Sequence, residues 1–257
     1  MRNLKRTLSL ALASVMLVGM MSVGASAVNA SDFTDADEIV NKDAVSTMTA
    51  LGIINGKEDG SYFDPTGTVT RAEMAKMLCV AINGGVDPVL GVKDTPTFTD
   101  IKGHWAESYI EYCAANGIIA GRGNNKFDPT GTVSATEAAK MLLGVLGYNA
   151  EKSGLVGNDW AINVAADAVN AGIAPKGIVL ADAMTREQAA QMAFQTLTAD
   201  MVYYTNKGTT VIGSDGMQVI VGASAPVKVA NSTTDDYRTV KGDKDEVQQF
   251  CEKYFSD

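Results

Sequence analysis

The chain has 257 residues, 46% of them hydrophobic and 7% aromatic, with 21 Lys and Arg against 30 Asp and Glu, a formal net charge of −9. A surface of that sign repels nucleic acid and anionic lipid, which excludes both as main partners. Three Cys are too few for a disulfide framework, and a single His leaves little material for a metal cluster or a hydrolytic triad.

Residues 1–27 have the layout of a secretory signal. Arg2, Lys5 and Arg6 form a basic start, Leu8 to Val23 is apolar, and Ala25-Ser26-Ala27 offers a small-residue cleavage site, with Val28-Asn29-Ala30 as an alternative. A retained anchor is the competing reading, disfavoured by the shortness of the apolar run. No Cys follows the run to carry a lipid, and no other stretch is long and apolar enough to span a bilayer. Cleavage after Ala27 leaves 18 Lys and Arg against 30 Asp and Glu, a net charge of −12.

Three copies of one pattern follow, which points to a repeat architecture. Each opens with a helix: Ile39, Val40, Ala44, Val45, Met48 and Leu51 in the first, Trp105, Tyr109, Ile110 and Cys113 in the second, Trp160, Val164, Ala165 and Ala168 in the third. The helices stop at Gly52, Gly117 and Gly172, where glycine takes a positive φ cheaply. A loop comes next, closely matched in two copies: Tyr62-Phe63-Asp64-Pro65-Thr66-Gly67 beside Lys126-Phe127-Asp128-Pro129-Thr130-Gly131. Its aromatic is expected to plug the loop onto the core. The third copy shortens it: Gly172 to Thr185 is 13 positions, against 18 from Gly52 to Thr70. A second helix then starts at Thr70, Ser134 or Thr185, with Glu73, Glu137 or Gln188 three residues on. That is a capping box, which gives these six residues a complete structural role.

Alignment of the copies puts Cys113 in the slot of Met48 and Ala168, and Cys79 in that of Leu143 and Phe194, so both read as small core residues rather than reactive thiols. Beyond about residue 197 the character changes. Met201–Tyr204, Thr209–Ile212 and Met217–Val221 read as strands, with a turn at Ser214-Asp215-Gly216; Val227–Ala230 offers a fourth strand. Val247, Phe250, Cys251, Tyr254 and Phe255 have helical spacing.

These motifs together resemble the S-layer homology family over residues 31–197. The second repeat carries the resemblance best, with Phe98-Thr99-Asp100, His104-Trp105-Ala106, Gly117-Ile118-Ile119-Ala120-Gly121 and Phe127-Asp128-Pro129 in order; the first supplies Phe33-Thr34-Asp35 and Thr70-Arg71-Ala72-Glu73. The division that follows is a signal peptide at 1–27, repeats at 31–85 and 96–149, a degenerate repeat at 154–197, and a small β-strand segment with a terminal helix at 201–257. The fold class is mainly α, a pseudo-threefold bundle of helix-loop-helix repeats with a small β-containing tail.

The resemblance implies non-covalent attachment to bacterial cell-wall polysaccharide, a secondary wall glycan linked to peptidoglycan and often pyruvylated, bound in grooves between repeats. The protein would be secreted and held at the cell wall or surface layer, with no stable membrane span after cleavage. The arginine of the Thr-Arg-Ala-Glu signature is the implied main contact, matched here by Arg71 and Arg186. On the residues alone, the capping box has no use for that arginine; at a helix start it can clamp a carboxylate, helped by free backbone N–H groups. An exposed or ion-paired arginine is the alternative. Ala135 replaces it in the second repeat, so that repeat's groove is expected to lack the clamp. Trp105 and Trp160 could stack on sugars, although tryptophans aligned at a helix start are more often core pieces. His104 is expected to cap or orient its helix. Gly52, Gly56, Gly117 and Gly121 would allow close backbone approach in the grooves. Lys57-Glu58-Asp59-Gly60 lacks the alternating ligands of a calcium loop and reads as a turn. No cofactor, metal or catalysis is expected. Two other classes stay open: a self-associating surface-layer subunit, and the anchoring part of a wall hydrolase.

Overall fold

The structure, a computed structural model, describes residues 29–206, 208–212, 218–221, 224–231 and 247–255. The signal-like segment and the Ser214-Asp215-Gly216 turn lie outside the described residues. Six helices come in three pairs: α1 Lys42–Ala50 and α2 Arg71–Ile82, α3 Glu107–Ala115 and α4 Ala135–Val145, α5 Trp160–Asn170 and α6 Arg186–Leu197. The molecule is thus mainly α, with a small β-containing tail.

The second helix of each pair starts as its sequence dictates. The Thr70 hydroxyl accepts from the Glu73 N–H at 3.2 Å, and the Glu73 carboxylate accepts from the Thr70 N–H at 2.7 Å. Ser134 with Glu137 and Thr185 with Gln188 repeat this geometry. The Phe-Thr-Asp motif works over a longer range. The two oxygens of Asp35 accept from the Phe63 and Asp64 N–H groups, and those of Asp100 from Phe127 and Asp128. Asp64 and Asp128 have φ of 60° and 61°, a conformation that costs a non-glycine residue energy. The carboxylate bonds from Asp35 and Asp100 hold it, and Phe63 and Phe127 are driven fully inward.

The repeats close into a ring. The Val69 N–H donates to the Met184 carbonyl, Met184 to Val133, and Val133 back to Val69, at 3.1, 2.9 and 3.0 Å. All three side chains are buried. Around this ring, each second helix sets its first N–H groups on the loop of the next repeat. Arg71 and Ala72 donate to Gly131 and Pro129, Ala135 and Thr136 to Asp182 and Leu180, Arg186 and Glu187 to Gly67 and Pro65. Helix packing follows the same cycle: α2 lies on α3, α4 on α5, and α6 on α1, while α4 also touches α2 and α6. The strongest helix contacts therefore join different repeats, as expected for units that cannot bury an apolar face alone.

Glu187 departs from the family's Thr-Arg-Ala-Glu pattern, and the ring explains it. Its carboxylate accepts from the N–H groups of Val40 and Asn41 and from the Asn41 amide, at the start of α1. α1 gets no cap from its own Asn41 side chain. The third repeat thus caps the first helix of the first repeat across the closure, and favours its dipole.

The tail is stitched onto this body. Strand β1 (Val202–Tyr203) pairs antiparallel with β4 (Val227–Lys228), and β2 (Thr209–Ile212) with β3 (Gln218–Val221). The Val202 N–H donates to Leu146 and the Phe250 N–H to Ala199. Helix α7 (Phe250–Tyr254) buries Phe250 and touches α6. Gly85, with φ of 84°, shows how close the first repeat's connections run: a Cβ there would stand 2.4 Å from the Leu51 carbonyl oxygen.

Candidate functional site

Arg71 is the residue whose setting differs most from expectation. It is 3% exposed. Its Nε donates to the Phe127 carbonyl at 2.8 Å, one Nη to the Ala120 carbonyl at 2.7 Å, and the other to Glu137 at 3.0 Å. Its guanidinium carbon lies 4.4 Å from the centroid of the Phe127 ring. The capping box makes no use of this arginine, but the next repeat does: ion-paired with Glu137 and bonded to two carbonyls, it locks that repeat's loop. The free N–H groups expected beside it are also taken, by Gly131 and Pro129. Burial pushes the guanidinium's pKa down, and Glu137 opposes this.

Arg186 repeats the arrangement on the first repeat's loop. It donates to the Phe63 and Asn55 carbonyls, both at 2.7 Å, and lies 5.1 Å from the Phe63 ring centroid. Each arginine therefore completes the loop of the following repeat. This moves the effect of Ala135: the second repeat's loop has its arginine, Arg71, and it is the third repeat's loop that faces a buried Ala135 instead.

Beside Arg71 opens a groove of about 600 Å³. Arg71, Gly121, Arg122, Glu137, Lys140 and Trp160 line it, with apolar wall from Ile118, Ile119, Met141 and Val156. Three cations thus meet one carboxylate on a chain of net negative charge. Arg122 is tied down, bonding Glu137, Asp128 and the Thr132 carbonyl. Lys140 is not: among the described residues it has no ion-pair partner, and its ammonium lies 5.3 Å from the Trp160 ring centroid. Burial, and then the charge of Arg71, hold its pKa below the usual lysine range, against the pull of Glu137. A partly desolvated cation beside an aromatic face can take an anionic, ring-shaped ligand. Sequence reasoning missed Lys140. The available signal was its position six residues after the capping Ser134, where the first repeat has Lys76 and the third Gln191.

The equivalent positions in the other repeats differ. At the first repeat Lys76 pairs with Asp87 at 2.9 Å, and Lys57 pairs with Asp64. At the third repeat the corresponding positions are Ala135 and Gln191. Of the other expected contacts, Gly121 lines the groove and Trp160 is half-buried in its wall. Trp105 is corrected from the core reading: it is 57% exposed, with its ring against His104 and Tyr109, because it precedes α3 rather than facing inward from it. Its neighbour His104 accepts from the Ala106 N–H at the helix start. Gly56 occupies in the first repeat the loop position that Gly121 has in the second, while Gly52 and Gly117 sit at helix ends with φ of 70° and 69°.

Glu137 joins the cap, both arginines and the groove wall. Burial alone would raise its carboxyl, but Arg122, the Ser134 N–H and Arg71 outweigh it and hold the pKa below the usual range. A depressed folded value means that its contribution is present above the unfolded pKa of about 4.3 and is lost as pH falls through the lower folded value. Glu137→Gln keeps the capping geometry, as Gln188 does in the third repeat, but loses the charge. It is expected to cost about 1–3 kcal/mol at pH 7. The gap from the unmodified chain should close as pH drops below about 4, read from urea midpoints at a series of pH values.

Residues 32–75 and 97–139 match the S-layer homology domain family. An S-layer protein of Bacillus licheniformis is 32% identical over 108 residues, covering 42% of this chain and 12% of its own length. The exoglucanase XynX of Acetivibrio thermocellus is 31% identical over 160 residues, 56% of this chain and 14% of the relative. A cell surface protein of Thermoanaerobacter kivui is 26% identical over 239 residues, 91% of this chain and 30% of the relative. The chain thus spans less than a third of the length of these relatives. Residues 32–75 and 97–139 are thus S-layer homology domains, and over them the chain is similar to bacterial S-layer and cell-surface proteins.

Proposed function

We propose that the chain holds its protein to the cell wall by binding an anionic wall polysaccharide, with the groove at the second repeat's loop as its main site. The observation that carries this reading is Lys140, a half-buried lysine without an ion-pair partner among the described residues, set beside Trp160 and Arg71 on an otherwise acidic chain. A carboxylate on the glycan, such as a pyruvyl ketal, would meet Lys140, and a sugar ring would lie on the exposed part of Trp160. Arg71 would shape the groove through the loop it locks. The equivalent positions at the first repeat, its lysines already paired, would bind weakly, and those at the third, with Ala135 and Gln191 in place of Arg71 and Lys140, would serve the fold. On this reading residues 154–197 are a third repeat kept for ring closure, and the described part of 201–257 docks on the body through Val202 and Phe250.

The test is retention of the chain lacking residues 1–27 on purified walls, before and after polysaccharide extraction. Extraction is expected to abolish retention. Lys140→Ala and Trp160→Ala should each weaken binding by about tenfold, or ~1.4 kcal/mol, with unchanged circular dichroism. Lys76→Ala should change it little. Full retention by both Lys140→Ala and Trp160→Ala would overturn the site.

A further inference from the structure

Cys79 and Cys113 read separately as core residues in the sequence, but the fold brings them together. Cys79 lies on α2 of the first repeat and Cys113 on α3 of the second. Both are fully buried, and their Sγ atoms are 3.3 Å apart. A disulfide bond is about 2.05 Å long, so the two sulfurs must approach by roughly 1.3 Å, a distance within reach of small side-chain rotations on two helices already packed together. Each sulfur also bonds a backbone carbonyl oxygen, Tyr109 at 3.5 Å from the Cys79 sulfur and Ala75 at 3.6 Å from the Cys113 sulfur. Thiols stay reduced in the cytosol, whereas outside it an adjacent pair is oxidised to a disulfide that persists.

We propose that Cys79 and Cys113 form a disulfide in the exported chain, stapling the first repeat to the second. The oxidant is an external disulfide. One cysteine thiolate attacks a sulfur of that disulfide, forms a mixed disulfide and releases the first small thiolate. The second cysteine thiolate then attacks the protein sulfur of the mixed disulfide and releases the second. Two protons pass from the cysteines to the released thiolates, and two electrons reduce the external disulfide. The exchange takes place before α2 and α3 have closed on each other, because neither sulfur is reachable afterwards. The hydrogen bond to Cys79 and burial push the Cys113 thiol's pKa up, so a reduced pair trapped in the folded chain is unreactive. The bond lies at the junction whose packing places Arg71 over the second repeat's loop.

The chain lacking residues 1–27 is refolded with oxidised glutathione, denatured at low pH, blocked with an alkylating agent and digested with trypsin. The expected product is peptide 77–93 joined to peptide 103–122, two hydrogens lighter than their sum and absent after reduction. Alkylation of both cysteines without prior reduction would overturn the proposal. So would a link from either of them to Cys251, or glutathione retained on either as a mixed disulfide.

Discussion

Arg71→Ala is expected to lower the free energy of unfolding by about 3–5 kcal/mol, the range for removing one partner from a buried, bonded charge. The side chain is 3% exposed and serves three acceptors at once. Its loss leaves the Phe127 and Ala120 carbonyls without that donor, at about 1–3 kcal/mol for each group left buried and unsatisfied. Glu137 keeps Arg122, which limits the loss on that side. Arg71→Lys should recover less than half, because an ammonium cannot reproduce the planar fork that reaches two carbonyls and a carboxylate. Equilibrium unfolding in urea checks both values, and a loss below about 1 kcal/mol would contradict the latch. Arg71→Ala should also release the chain from walls, but through a loosened loop. Wall binding by that variant is therefore interpretable only beside its stability, and Lys140 is the cleaner probe of ligand contact.

Phe127→Ala is expected to cost about 3–5 kcal/mol, as for other fully buried aromatics cut to alanine. Phe127 is 0% exposed, its ring centroid 5.5 Å from that of Phe98 on one side and 4.4 Å from the Arg71 guanidinium carbon on the other. The two large effects should not add. Arg71 rests on the ring it would lose, so the double variant should fall short of the sum by about 1 kcal/mol or more. A urea double-mutant cycle measures this directly, and strict additivity would mean that the arginine holds the loop through its carbonyl bonds alone.

What was legible in the sequence is what depends on neighbours a few residues away. Capping boxes join residues three apart, and the glycine ends need one φ, so Thr70, Glu73, Ser134, Glu137, Thr185 and Gln188 stand where spacing put them. The tail's strands and final helix were legible from alternation and helical spacing for the same reason. The candidate groove was only half legible. Arg71 could be picked out by its motif, but its partners stand 49 to 66 positions away in the next repeat. Lys140 differs from Lys76 chiefly in what faces it: Asp87 bonds Lys76, and no carboxylate pairs with Lys140 among the described residues. Trp105 and Trp160 align in sequence, yet the first is 57% exposed and the second lines the groove wall.

The sequence by itself determined the repeat, its local start and stop signals and its mainly α class, because each rests on short-range bonds that any copy of the motif can form. Only the tertiary structure decided which repeat each arginine serves, where Glu187 acts, and that Cys79 meets Cys113. Those are properties of ring closure. Helices of different repeats bury their apolar faces on one another, and the contacts that result are set by the geometry of the closed ring rather than by spacing along the chain.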